Sequence, residues 1–123
     1  MGEIQSFRDL LVWQKGMNLA EAAYKPTKSF PKAEEYRLTS QLLRAAASVP
    51  ANIAEGNCRA TRKDYARFIS IARGSVAEVE TFLALAVRVD LAKPDEAAPA
   101  LVLADELGRM LNVMRDRLSK VPD

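Results

Sequence analysis

Two groups of polar residues in this chain have the spacing to do chemistry. The first is Arg44, Ser48, Asn52 and Glu55, at intervals of four, four and three, so on a helix all four share one side. Glu78 belongs with them from a later segment, where Arg67, Gly74 and Glu78 follow at seven and four. The second group is basic: Arg59, Arg62, Lys63, Arg67 and Arg73, with only Asp64 opposing it locally. Each group has two readings. The polar strip is either a structural motif or a recognition surface. In the structural reading Arg44 pairs with Glu78 or Glu55, and Asn52 satisfies carbonyls freed at Pro50. The basic cluster is either a solvated helix start or a set of phosphate contacts.

The residue types needed for turnover are scarce. The chain has no histidine, so imidazole bases and imidazole metal ligands are absent. Its one cysteine, Cys58, excludes an intrachain disulfide and a Cys-based metal cluster. Glu78 and Glu80 are two apart, so on a helix they point to different faces and do not pair. No phosphate-cradling glycine loop, zinc spacing or nucleophile elbow occurs. The expectation is a non-enzymatic protein with no cofactor and no metal. An enzyme built on converging carboxylates is the alternative from another class.

These residues must be positioned by helices. Leu10, Trp13, Met17, Ala20 and Tyr24 form one stripe over a predicted helix at 7–24, widened by Leu11 and Leu19, with Ser6 and Asp9 as a capping box and Pro26 closing it. A second helix at 31–56 starts on Pro31 and buries Leu38, Leu42, Ala45, Val49 and Ile53, with Ala46 beside them. Pro50 falls inside it and predicts one bent helix, not two.

Thr61 and Asp64 cap a third helix at 61–90, carrying Tyr65, Phe68, Ile69, Ala72, Val76, Val79, Phe82, Leu83 and Ala86. Gly74 in its interior costs about 1 kcal/mol relative to Ala, which predicts close approach of a neighbouring helix there. Trp13, Tyr24, Tyr65 and Phe68 are read as core aromatics. A fourth helix at 95–120 presents Leu103, Leu107, Met110, Leu111, Met114 and Leu118. Four amphipathic segments with short connections predict an all-α, antiparallel up-down four-helix bundle with a Pro-kinked second helix, as one domain.

Length and charge add bounds. At 123 residues the chain suffices for a single self-supporting core, and 49% of it is hydrophobic. A formal charge of +2 is too small to signal a nucleic-acid partner by itself. Residues 57–93 hold seven Lys or Arg against four acids, whereas residues 94–123 hold four against six. No apolar run approaches the ~20 residues that cross a bilayer, and the start lacks a signal peptide. The expectation is a cytoplasmic protein without membrane contact.

Particular stretches carry a resemblance. They are Phe7-Arg8-Asp9-Leu10 with Trp13-Gln14, Phe30-Pro31, Gln41 to Arg44, "SVPANIAEG" at Ser48–Gly56, Arg59, and Gly74-Ser75 with Glu78. Together they resemble the bacterial four-helix-bundle proteins found in intervening sequences of 23S ribosomal RNA genes, over roughly residues 7–118. The resemblance implies a ring-shaped homopentamer. It is remotely similar to the accessory variability determinant of diversity-generating retroelements, which implies nucleic acid and a reverse transcriptase as partners. On this reading the chain is a homo-oligomeric scaffold or adaptor, with Arg59, Arg62, Lys63, Arg67 and Arg73 as phosphate contacts to RNA or DNA. The competing reading is a protein-binding module using an exposed apolar face of helix one (Leu11, Leu19) or helix four (Leu101, Val102, Val113).

Overall fold

The computed structural model describes residues 5–120, and among them there are four long α-helices and no strand. They are α1 (Leu11–Thr27), α2 (Ser40–Asn57), α3 (Arg62–Arg88) and α4 (Pro94–Lys120).

The capping box at Ser6 forms as read, but it caps a separate 3-10 turn, Phe7–Asp9. Leu10 is extended (φ −74°, ψ 128°), and α1 begins only at Leu11. The turn is then fastened back onto α1. The Gln14 amide donates to the Arg8 carbonyl at 2.9 Å, and the Phe7 ring meets Trp13 edge-on at 5.4 Å.

The buried face of α1 also differs from the expected stripe. Val12, Gly16, Leu19 and Ala23 turn inward, and the helix continues through Pro26 to Thr27. Leu10, Trp13 and Ala20 are half-buried, whereas Met17 and Tyr24 are 46% and 47% exposed. Tyr24 is therefore not a core aromatic. The physical reason is close packing: a Cβ on Gly16 would lie 3.4 Å from Val49 Cγ1 and 3.5 Å from the Pro50 Cα. The face with the smaller side chains brings the two backbones together, and the bulkier stripe is left to one side.

The predicted second helix is three pieces. A 3-10 turn (Lys32–Glu34) passes into a π turn (Glu35–Thr39), where Arg37 leaves helical dihedrals (φ −113°, ψ −112°), and α2 follows. The extra residue of the π turn rotates the chain before α2 starts. Leu38 can thus pack with Ala86 and Ala92 near the end of α3, while Leu42, Ala45, Ala46, Val49 and Ile53 form the expected core stripe. A single helix spans Pro50.

Thr61 caps α3, its hydroxyl accepting from the Asp64 N–H at 3.1 Å. The other end closes in a Schellman arrangement: Leu91 N–H donates to the Ala86 carbonyl (2.8 Å) and Asp90 N–H to that of Val87 (3.2 Å). Asp90 sits at φ 62°, a left-handed position where glycine is the usual occupant. Ahead of α4, the Glu96 carboxylate accepts from the Lys93 N–H at 2.7 Å.

Contacts fix the order of the bundle. Each helix packs against its neighbours in the sequence α1–α2–α3–α4, and α4 returns to α1. Connections of four residues (58–61) and five residues (89–93) join α2 to α3 and α3 to α4, and Leu10 and Leu11 share a groove with Met114 and Leu118 while Lys15 reaches Glu106 at 2.6 Å, so these adjacent helices run antiparallel. Leu19, Leu42, Ile53, Ile69, Leu83, Leu107 and Leu111 are sealed inside. Each contributes on the order of 1.5–3 kcal/mol through burial.

Candidate binding surface at the α2–α3 junction

The polar strip of α2 faces α3. Ser48 Oγ lies 2.8 Å from Ser75 Oγ, and the Asn52 amide donates to both the Ser48 hydroxyl and the Ser48 carbonyl at 2.8 Å. Asn52 therefore does not serve the carbonyl that Pro50 deprives of its helical donor, which is that of Ala46. From its position an Asn side chain reaches one turn back, and one turn back is Ser48. Ser75 is buried and Gly74 is not; a Cβ on Gly74 would meet nothing within 4 Å. The close approach expected at Gly74 is absent from the subunit, and its neighbour supplies the contact to α2 instead.

Arg44 and Glu78 line one small cavity of about 170 Å³ with Gln41, Ser48 and Phe82. No ion pair joins them within 4.0 Å. The second expected partner of Arg44, Glu55, is committed to Arg59 at 2.8 Å. Helix register decides this: Arg59 stands four residues beyond Glu55, while Arg44 is three turns away.

The five basic residues separate into three groups. Arg59 bonds Glu55 and approaches Asp64 (3.7 Å), and Arg67 bonds Asp64 at 3.3 Å. Both guanidinium carbons lie 4.6 Å from the centre of the Phe68 ring, so two cations, each paired with a carboxylate, flank one aromatic. Arg62 and Lys63 are exposed on the first turn of α3. Arg73 lies mid-bundle against α4, with its guanidinium 3.1 Å from where a Gly108 Cβ would be and 4.0 Å from Glu80. Its buried Nη1 has no hydrogen-bond partner. The structure does not bring Arg73 to the junction.

Gly56 makes this junction possible. A Cβ there would come within 2.9 Å of Phe68 Cβ and 3.0 Å of Tyr65 Cδ1. Beside it the Asn57 amide donates to the Tyr65 hydroxyl at 3.3 Å. Burial pushes the Tyr65 phenol above its ordinary pKa, the Asn57 bond opposes the shift, and Cys58 adds to it. Cys58 itself is exposed.

Sequence reasoning missed Ser75 and the ring of Phe68 as parts of the polar network. Ser75 was detectable, since it follows Phe68 and Ala72 at core spacing. The role of Phe68 was not, because a core aromatic and a cation-flanked one have the same helical position.

Elsewhere the surface has apolar grooves. One of about 570 Å³ runs between the start of α1 and the end of α4, lined by Leu10, Leu11, Met110, Val113 and Met114 with Arg117 at its rim. Another, about 460 Å³, lies between α3 and α4 beside Leu101 and Val102. Leu11, Val102 and Val113 are indeed exposed, but Leu19 is fully buried and offers no surface. Among the described residues no group of three His, Cys, Asp or Glu could hold a metal ion, and no helix is long and apolar enough to cross a membrane.

Four antiparallel helices with a polar α2–α3 seam define an all-α bundle. Residues 8–113 match the model of the 23S rRNA-intervening sequence protein family, and the chain belongs to that family. The fold is similar to the crystal structure of a protein of unknown function from the S23 ribosomal protein family of Bacteroides thetaiotaomicron. The two are 24% identical with a TM-score of 0.75, over 84% of this chain and 96% of the other. No curated protein matches the sequence.

Proposed function

We propose that this chain is a non-enzymatic scaffold or adaptor built by self-association, with a homopentameric ring as the assembly its family resemblance implies. A helix face without charge carries this reading. At about 100° per residue, Trp13, Met17, Ala20 and Tyr24 lie on the side of α1 opposite Lys15, which reaches α4. Leu43, Ala47 and Ala54 lie on the side of α2 opposite Ser48, which reaches α3. The two sets adjoin across the α1–α2 contact. They form a surface of large side chains on one helix and small ones on the other, with no charged residue among them. An uncharged, partly exposed helix pair is what an oligomer interface requires.

Light scattering tests this. The expected mass is a multiple of 13.6 kDa, with five copies for the ring. Met17→Glu with Ala47→Glu should yield a folded single subunit of unchanged helicity. A wild-type protein that stays at 13.6 kDa at all concentrations would refute the reading.

A second reading, contact with RNA or DNA at the α2–α3 junction, is favoured by Arg62 and Lys63, which are exposed on the first turn of α3 next to Arg59 and Arg67. Filter binding at low salt tests it. Retention of RNA that disappears by 200 mM salt is expected, and none at 50 mM would remove it.

A further inference from the structure

We infer that the phosphate contact at the α2–α3 junction extends over the entire end of the bundle, taking in the N-terminal turn and the last turns of α4. This rests on the nucleic-acid reading above and names the additional residues it uses.

The antiparallel arrangement sets four chain segments side by side at one end: the Phe7–Asp9 turn, the end of α2, the start of α3 and the end of α4. The groove shared by Leu10, Leu11, Val113 and Arg117 ties the first of these to the last. The junction brings Arg59, Arg62, Lys63 and Arg67 with Glu55 and Asp64. The N-terminal turn adds Arg8 with Asp9. The end of α4 adds Arg115, Arg117 and Lys120 with Asp116 alone. Among the described residues this is eight of the chain's 18 Lys and Arg against four acids, a sum of +4, while the chain as a whole, with Glu3 and Asp123 outside the described residues, is +2. The other described residues carry no net charge.

Arg59, Arg67 and Arg115 are held by carboxylates at this end, and the excess rests on other cations. Among the described residues neither Arg62, Arg117 nor Lys120 has an ion pair, and Arg8 stacks on Phe7 at 4.6 Å without meeting a carboxylate. Part of the α4 charge offsets the partial negative charge of about half a unit at that helix's C-terminus, which leaves most of the excess outward-facing. A four-helix end is roughly 20 Å across, since neighbouring axes lie 8–10 Å apart. At about 6–7 Å between successive phosphates, a strand crossing it could meet cations from α3 and from α4 together. Sequence identity plays no part in such contacts, so the ligand class is a nucleic-acid backbone.

The test measures binding of a fluorescein-labelled 20-nucleotide oligouridylate by anisotropy from 50 to 200 mM salt. Three double variants are compared with wild type: Arg117→Gln/Lys120→Gln at the end of α4, Arg62→Gln/Lys63→Gln at the junction, and Lys25→Gln/Lys28→Gln at the opposite end. Circular dichroism confirms that each remains helical. The α4 variant is expected to bind about tenfold or more weakly at 50 mM salt, with a salt slope smaller by about 1.4, the value for two lost phosphate contacts on a single strand. The opposite-end variant is expected to match wild type. If the α4 variant binds as wild type while the junction variant does not, the site is confined to the junction and the inference is overturned. Equal losses in all three variants would overturn it too, because the attraction would then be diffuse. No binding by wild type at 50 mM salt is a different result: it sinks the nucleic-acid reading itself.

Discussion

Ser48 Oγ and Ser75 Oγ stand 2.8 Å apart across the α2–α3 contact, and Asn52 closes the group by donating to the Ser48 hydroxyl and carbonyl. A part-buried hydroxyl pair satisfies itself only if the two helices hold one register. Sliding α3 by a turn would carry Ser75 away from Ser48 and break the pair. The "SVPANIAEG" stretch is therefore a register device that supports the junction one and two turns further on.

Disturbing this group should cost stability. Asn52→Leu removes the donor and sets an aliphatic group beside two hydroxyls. The expected loss is about 1–2 kcal/mol, seen as a fall of roughly 0.5–1 M in the urea midpoint. In a Ser48→Ala/Ser75→Ala double-mutant cycle the coupling should be about 0.5–1.5 kcal/mol, and a cycle that sums to zero would show that the hydroxyls act independently.

Gly56 and Gly74 should respond to alanine in opposite directions. At Gly56 the new methyl would lie 2.9 Å from Phe68 Cβ, a group close to the backbone that cannot swing away. Gly56→Ala should destabilise by about 1–3 kcal/mol as the junction is pushed apart. At Gly74 a methyl meets nothing within 4 Å of the subunit, so Gly74→Ala should gain up to about 1 kcal/mol from helix propensity. Thermal melts of the two variants make the comparison.

The α3 terminus offers a second gain. Asp90 holds φ at 62° without a glycine's freedom. Asp90→Gly should raise the melting temperature by a few degrees, corresponding to about 0.5–1 kcal/mol. A decrease would show that the aspartate makes a contact worth more than its backbone strain.

Tyr65 gives a pH dependence with a definite sign. Burial raises its folded pKa above the ordinary phenol value of about 10. In the window between the unfolded and folded values the native state holds a proton the unfolded chain has lost, so stability falls as pH rises above about 10. Tyr65→Phe should remove that alkaline decline while leaving urea unfolding at pH 7 within about 1 kcal/mol of wild type.

The helices were legible because apolar periodicity is local. For α2 and α3 the expected stripes are the buried ones, except that Tyr65 and Phe82 are half-buried, and the Thr61 cap forms where the spacing put it. The failures have a common cause. Leu10–Tyr24 is a real apolar stripe on α1, but Gly16 and Ala23 allow a closer helix contact on another face, and closeness of approach is not written in periodicity. The π turn at Glu35–Thr39 is invisible to periodicity because its residues are helix-compatible and only its fit to Ala86 and Ala92 selects it. Residue types alone offer Arg44 two carboxylates, but Glu55 is taken by a nearer cation.

The same division applies to charge. By itself the sequence determined four amphipathic helices, the absence of histidine and a basic turn after Gly56, since each follows from residue types and short-range spacing. It showed residues 94–123 as an acidic segment, because a linear window averages both ends of α4. The antiparallel fold separates those ends by the length of the bundle. Asp95 and Glu96 go to one end, while Arg115, Arg117 and Lys120 join Arg62 and Lys63 at the other. Electrostatic potential follows distance in space, so only the tertiary structure could decide where this nearly neutral chain is positive.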